Sequence, residues 1–326
     1  MDNNEKQKWK KRFGVGIVIS FFCLFLLIYM KTYISYSQQY GKHRRVFGAT
    51  YMTMNNQFYK IVNNEIQMQI EKKGDQLITL DPALDQKKQN EQIKYLVKKK
   101  VDVIFLNPVD WKKVKSGLQA AKKAGIPVIV IDTPVYNEEL VDMTVVSDNY
   151  KAGVQCAKDM MSHFSQANIV LLEHNSVISA VDRINGFLDT VKDNQNYQVI
   201  DRVDCLGQTE LALPAMRRVI AKHKDFQVVM ALNDPSALGA LAALEESHLN
   251  HVFVYGVDGS PDMKKLIKSG ENVKATASQS PTSMGKEAIK VIYKMKNNKK
   301  YDKQIVIPVT MINRDNIDHY TLSGWQ

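Results

Sequence analysis

From Val46 onward the chain alternates short apolar runs with longer amphipathic stretches, and this rhythm restricts the possible folds more than any other feature. The runs cover residues 46–51, 77–80, 103–106, 128–131, 144–146, 169–172, 199–203, 228–232, 252–255 and 273–277. Most are bounded by Gly, Pro, Asn or Asp, the pattern of a strand buried on both faces of a parallel sheet. The stretches between them carry helical spacing; in residues 92–100, Ile93, Leu96 and Val97 recur at i, i+3 and i+4 beside charged positions. Alternating β and α elements predict an α/β fold with parallel sheets, right-handed crossovers and helices on both faces. A single sheet with this many parallel strands would be unusual, so two sheets in two lobes are expected. The break should fall at Val146-Ser147-Asp148-Asn149, and a helix over 281–296 and a strand over 304–307 should return to the first lobe. The expected organisation is one lobe of residues 46–147 with 280–308, a second of 148–279 with 309–326, and a cleft between them.

Ahead of this region, residues 13–30 read FGVGIVISFFCLFLLIYM without a charge, just long enough to span a bilayer core as a helix. Lys6, Lys8, Lys10, Lys11 and Arg12 precede the run against only Asp2 and Glu5. Such a flank stays on the cytoplasmic side, which would put the rest of the chain outside. Cleavage as a signal peptide is disfavoured, because the small residues that follow, Ser35 and Ser37, stand among tyrosines rather than in an A-x-A arrangement. Lipidation is disfavoured because Cys23 sits in mid-run after Phe21-Phe22, and a soluble core helix would need a polar face. The expectation is a cytoplasmic tail (1–12), a single-pass anchor in the cell membrane (13–30), a linker (31–45) and an extracellular binding region.

Of the net charge of +10, the first twelve residues contribute +3, and the rest is spread as lysine clusters such as Lys98-Lys99-Lys100 and Lys264-Lys265. Lysines late in helices favour the helix C-terminus and solvation. Without interleaved exposed aromatics or a reading motif they do not make a nucleic-acid surface. Cys23, Cys156 and Cys205 are too few for a disulfide framework; the sequence leaves open whether Cys156 and Cys205 pair or are small buried hydrophobes.

Ligands of open α/β sheets bind beyond the carboxyl ends of the strands. The residues following the runs there include Asn55-Asn56-Gln57-Phe58-Tyr59, Asn107-Pro108, Asp132-Thr133, His174-Asn175, Asn233-Asp234-Pro235, Asp258-Gly259-Ser260 and Ser278-Gln279. Amides, carboxylates and two aromatics in one cleft suit a small polyhydroxylated ligand, since each hydroxyl both donates and accepts. Several also read as cap-then-proline helix starts. Asp81 and Asp262 are assigned to capping, whereas Asp132, Asn233 and Asp258 closely follow buried strands and are assigned to ligand contact. Arg183 could form a surface ion pair or fork onto vicinal hydroxyls. No G-x-S-x-G elbow, H-E-x-x-H pair, Walker loop or G-x-G-x-x-G turn occurs, and the seven histidines show no metal-ligand spacing. The expectation is a binding protein rather than an enzyme, with no cofactor and no metal.

Residues 46 to about 320 resemble the ribose-binding-protein branch of the periplasmic sugar-binding proteins, whose fold is the type I periplasmic binding protein. The motifs that carry the resemblance are Asn55-Asn56-Gln57-Phe58-Tyr59, Pro127 to Asp132, Ser147-Asp148-Asn149, Arg183 to Phe187, Asn233 to Ala240, Gly256 to Asp262 and Gln279-Ser280-Pro281. It implies that Phe58 and Tyr59 sandwich a monosaccharide and that Asn56 and Asp132 bind hydroxyls from the first lobe. Arg183, Asn233, Asp258 and Gln279 would bind from the second lobe or a hinge. Hinges would fall near residues 147–149, 277–279 and 307–310. Two positions depart from the family: Thr133 stands where many sugar binders have Arg, and Cys205-Leu206-Gly207 stands where an aromatic is common.

The uncleaved anchor is similar to that of membrane-anchored Gram-positive binding proteins that partner a LytS-type sensor histidine kinase, the xylose-sensing member among them. This resemblance implies a xylose or related pentose sensor whose partner is a kinase extracytoplasmic domain. The alternative is a tethered binding protein that delivers sugar to the permease of an ABC importer.

Overall fold

The structure, a computed structural model, describes residue 2 and residues 21–33, 44–270, 272–297 and 299–325. The first part of the apolar run (13–20), most of the tail before it and linker residues 34–43 lie outside the described residues. Residues 21–33 are helical and exposed throughout, with Phe21 and Phe25 each 70% accessible. Among the described residues no helix is long and apolar enough to cross a membrane.

Among the described residues, two six-stranded sheets carry the chain. The first contains β1 (Val46–Thr50), β2 (Gln76–Leu80), β3 (Val103–Leu106), β4 (Val128–Asp132), β5 (Met143–Ser147) and β11 (Gln304–Ile307), in the order β11-β5-β4-β3-β1-β2. The second contains β6 (Ala167–Glu173), β7 (Tyr197–Asp204), β8 (Val228–Ala231), β9 (Phe253–Asp258), β10 (Val273–Ser278) and β12 (Thr310–Asn313), in the order β12-β10-β9-β8-β6-β7. Every pairing is parallel except β10 with β12. The ten apolar runs all fall on strands. Short β12 was not legible as one, because Thr310-Met311-Ile312-Asn313 forms a half-exposed edge with little apolar signal.

The helices are α1 (Gln57–Glu71), α2 (Gln86–Lys98), α3 (Lys115–Lys123), α4 (Asn149–His163), α5 (Ile178–Val191), α6 (Thr209–Lys222), α7 (Asp234–Glu246), α8 (Pro261–Ser269) and α9 (Pro281–Lys296). Several begin on the cap-and-proline signals, which satisfy the free amides of a first turn. Asn233 Oδ1 accepts from Ser236 N at 3.0 Å, with Pro235 in the first turn of α7. Ser260 Oγ accepts from Met263 N ahead of Pro261. Two capping assignments are corrected. Asp81 starts no helix: its Oδ1 accepts from Ala83 N in a tight turn that continues through Ala83 and Leu84 at positive φ, and Asp85 caps α2. Asp262 lies inside the first turn of α8, because Ser260 has already taken the cap.

The chain passes between the sheets at residues 147–149, 278–281 and 307–310. Asp148 N donates to Ile307 O at 3.0 Å, which ties the first and third crossings together. Cys156 and Cys205 are buried and free, so the pairing left open by the sequence is not formed. Lys264, grouped by sequence with solvated lysines, is fully buried.

In the second half α4 and α5 cross backbone to backbone. A Cβ on Gly153 would stand 1.8 Å from Arg183 O, and one on Gly186 would stand 2.0 Å from Tyr150 O. Neither carbonyl can yield without moving a helix, and these helices carry Asn149 and Arg183 to the cleft. Gly186→Ala should therefore cost about 1–3 kcal/mol, the range of an overpacked core. Urea unfolding checks this; a loss under about 0.5 kcal/mol, the level of an ordinary surface change, would mean the crossing is not tight.

Candidate functional site

The carboxyl ends of the strands from both sheets face one narrow cleft. Asp132 ends β4 and Asp258 ends β9, and both residues hold positive φ, +73° and +146°. L-residues visit this region rarely, and such strain persists where the surroundings hold it in place. For Asp132 the restraint is visible: Asn107 Nδ2 donates to its Oδ2 at 3.2 Å and to Ile131 O at 3.1 Å, and Tyr59 Oη lies 3.3 Å from the same carboxylate oxygen. For Asp258, Gln279 returns two hydrogen bonds, Nε2 to Oδ1 at 2.7 Å and backbone N to Asp258 O at 2.9 Å.

Arg183 projects from α5 between these two aspartates. Its Nη2 is 3.9 Å from Asp132 Oδ1 and its Nη1 is 3.9 Å from Asp258 Oδ1, so neither ion pair is at hydrogen-bond distance. The guanidinium is held instead by Nε to Asn149 Oδ1 and Nη1 to Leu232 O, both at 2.9 Å. The surface-pair reading of Arg183 is thereby corrected: the residue is 4% exposed, because the crossing of α4 and α5 turns it inward. Gln279, 1% exposed, gives its amide hydrogen to Asp258 and leaves Oε1 buried with no hydrogen-bond partner among the described residues. A fixed cation, two carboxylates and an unused carbonyl oxygen can together donate to and accept from the hydroxyls of a small ligand.

All eight residues singled out from the sequence (Asn56, Phe58, Tyr59, Asp132, Arg183, Asn233, Asp258 and Gln279) line this one cleft. Two of them also cap helices: Asn56 Oδ1 accepts from Phe58 N, and Asn233 caps α7 while its Nδ2 donates to Gly207 O at 3.0 Å. The sandwich implied for Phe58 and Tyr59 needs correction. Adjacent helical residues point about 100° apart, a consequence of 3.6 residues per turn. The two rings meet edge to face at 5.6 Å and 89°, forming a corner instead of two parallel walls. Within that corner, Tyr59 positions Asp132.

Asn107 and His174 stand among the strand-end residues of the sequence with no binding role assigned, and Gln208 and Asn149 carry no side-chain role there. Asn107 orients Asp132, His174 and Gln208 line the cleft, and Asn149 orients Arg183. Their position directly after strands was the available signal for the first two; for Gln208 there was none. The two departures also have structural roles. Thr133 is fully buried and its Oγ1 accepts from Ser179 N of the other half at 3.1 Å. Leu206 and Gly207, both at positive φ, line the cleft where an aromatic is common in the family.

Three contacts join the halves across the mouth, so the arrangement is closed. They are Thr133 with Ser179, Trp111 N to Ser176 O at 3.2 Å, and Asn55 Nδ2 to Glu210 Oε1 at 3.0 Å.

Burial governs the electrostatics. It raises Asp258 well above the usual carboxylate range, with nearby Asp234 adding to the shift and Arg183 and Gln279 opposing it. Asp132 is raised by burial too, against the pull of Arg183, Tyr59 and Asn107. Burial lowers His174, which favours its neutral ring.

A family model for the periplasmic binding protein domain matches residues 47–300. The chain belongs to that family. Among similar proteins, the ribose import binding protein RbsB of Bacillus subtilis is 29% identical over 273 residues, 83% of this chain and 88% of that protein. The galactofuranose-binding protein YtfQ of Escherichia coli is 31% identical over 64% of this chain and 69% of its own length. Among solved structures, an ABC transporter solute-binding protein of Mycobacterium smegmatis with bound glycerol superposes with a TM-score of 0.81 at 27% identity, covering 85% of this chain and 96% of that one. The chain is thus a solute-binding protein with the two-sheet α/β fold of this family, not an enzyme.

The raised carboxylates predict a pH dependence. The folded protein holds its protons on Asp258 and Asp132 to higher pH than the unfolded chain does. Between the ordinary carboxylate range and the raised values the folded state therefore binds more protons, so stability falls as pH rises through that window. Asp258→Asn keeps an acceptor for Gln279 and removes the buried charge. At neutral pH the unliganded variant should melt above the wild type, and its melting should depend less on pH through that window. Equal midpoints and equal slopes in the two proteins would remove the buried-charge account.

Proposed function

We propose that the chain is a membrane-tethered, extracytoplasmic sugar-binding protein whose two halves close on a monosaccharide, a pentose such as xylose being favoured. Closure would then be read by the extracytoplasmic domain of a sensor histidine kinase. The observation that carries the sugar reading is the fixed set formed by Arg183, Asp132, Asp258 and Gln279, contributed from both sheets, with Phe58 at its edge. Carboxylates and guanidinium suit hydroxyl pairs, and a flat ring suits the CH faces of a sugar. Relatives named for ribose, D-apiose and galactofuranose favour the same ligand class. The tether rests on the uncharged run 13–30, its basic flank and the exposed apolar surface of residues 21–33. The binding region would then lie outside the cell membrane with the N-terminus in the cytoplasm. One observation favours a second reading, delivery to the permease of an ABC importer: several relatives are import binding proteins.

A thermal-shift screen of the full chain against simple aldopentoses and aldohexoses tests the ligand class. A sugar at about 100 times its Kd should add about 2.7 kcal/mol of stability. Arg183→Ala should abolish the shift, and Phe58→Leu should reduce affinity more than it reduces unliganded stability. No shift with any sugar, or an unchanged shift in Arg183→Ala, would reject this cleft assignment. For the tether, the protein purified from its native membrane should begin at or near Met1, and an N-terminus after residue 30 would reject the anchor. Sugar-dependent association with a kinase extracytoplasmic domain favours the sensor; association with importer subunits alone favours delivery.

A further inference from the structure

The segment after β12 is fastened to α8 of the second half by side chains of unusual placement. Lys264, in mid-α8, has no accessible surface, and its Nζ donates to Thr321 O at 2.6 Å and to Gly324 O. Burying an ammonium costs free energy unless its donors are satisfied, and here backbone carbonyls of this segment satisfy them. Arg314 Nη1 donates back to Ile267 O at 2.9 Å, and Lys268 pairs with Asp318. The segment thus moves with the second half.

Trp325, which directly follows the carbonyl bound by Lys264, does not pack on that half alone. Its indole meets Phe58, at the start of α1 in the first half, edge to face at 5.8 Å and 71°. Phe58 in turn meets Tyr59, whose hydroxyl faces Asp132. Phe58 lines the ligand cleft and Trp325 lines a neighbouring open pocket that shares Asn56 and Gln208 with it. The ring pair is therefore part of the wall between the two spaces, with one ring supplied by each half. Such a wall is complete only while the halves are together.

We propose that Trp325 is a positioning residue for ligand binding. Carried by the second half and set in place by Lys264, it backs Phe58 in the closed arrangement and slows escape of the ligand. The inference rests on the sugar-binding reading of the cleft and adds to it a residue that touches no ligand. An edge-to-face pair contributes about 0.5–1.5 kcal/mol beyond its burial, which corresponds to roughly threefold to tenfold in affinity. The contact forms as closure completes, so the effect belongs to dissociation.

The test uses the full chain with whichever sugar stabilises the wild type, and measures Kd, the dissociation rate by isotope chase, and unliganded melting. Trp325→Ala should raise the dissociation rate about threefold to tenfold, with the association rate within about twofold. Trp325→Phe should restore most of the loss, since a ring edge remains. Lys264→Met, which keeps a chain of similar length while releasing the two carbonyls, should act in the same direction. An unchanged dissociation rate in Trp325→Ala overturns the proposal. So does failure of Trp325→Phe to restore binding when both Trp325 variants lower unliganded melting alike, because the residue would then serve only the fold. If no sugar stabilises the wild type, the sugar reading itself is overturned.

Discussion

The guanidinium of Arg183 belongs to a helix of the second half, yet it lies 3.9 Å from carboxylates that end strands in both sheets. It is held there by Asn149 and by Leu232 O and not by either carboxylate. That arrangement leaves the charged faces of Asp132 and Asp258 near a cation without satisfying them. A neutral hydroxyl that donates to a carboxylate and accepts from the guanidinium can complete what the protein leaves incomplete. Much of the surrounding construction keeps this charge in place. Gly153 and Gly186 let the two helices approach closely enough to aim it, and Asn107, Tyr59 and Gln279 hold its two anionic neighbours at positive φ.

Such a site is destabilising when it is closed and empty. Burial raises both carboxylates, and Gln279 Oε1 has no partner among the described residues. Preorganisation of this kind transfers part of the ordering cost from the binding step to folding. It also selects the ligand, because an analogue lacking a hydroxyl leaves a buried group unpaired, a penalty larger than the benefit of a typical hydrogen bond.

The sequence disclosed the strands because burial on both faces leaves continuous apolar runs, and it disclosed the cleft because ligands gather at strand ends. Asp132 could be found by counting one position past a run, and Asp258 by counting three. Arg183 could not be placed by that rule. Its inward aim depends on two glycines thirty-three positions apart in the chain that meet the partner helix's backbone. Lys264 was misread for a related reason: a lysine beside a lysine looks solvated, and only the carbonyls of a distant segment make its burial tolerable. The Phe58–Tyr59 corner was misjudged because adjacency in sequence suggests pairing, whereas a helix turns neighbours away from each other. β12 left little trace because an edge strand with half-exposed positions carries almost no apolar pattern.

Two of the three chain crossings carry residues that also hold the site. Asn149, at the first, accepts from Arg183, and Gln279, at the second, donates to Asp258. The third is bonded to the first through Asp148 and Ile307. Any change in the angle between the halves is therefore made beside the hydrogen bonds that aim the site's cation and one of its anions. The pivot and the binding site thus share parts, so a substitution made to loosen the hinge at Asn149 or Gln279 would also alter what the cleft can hold.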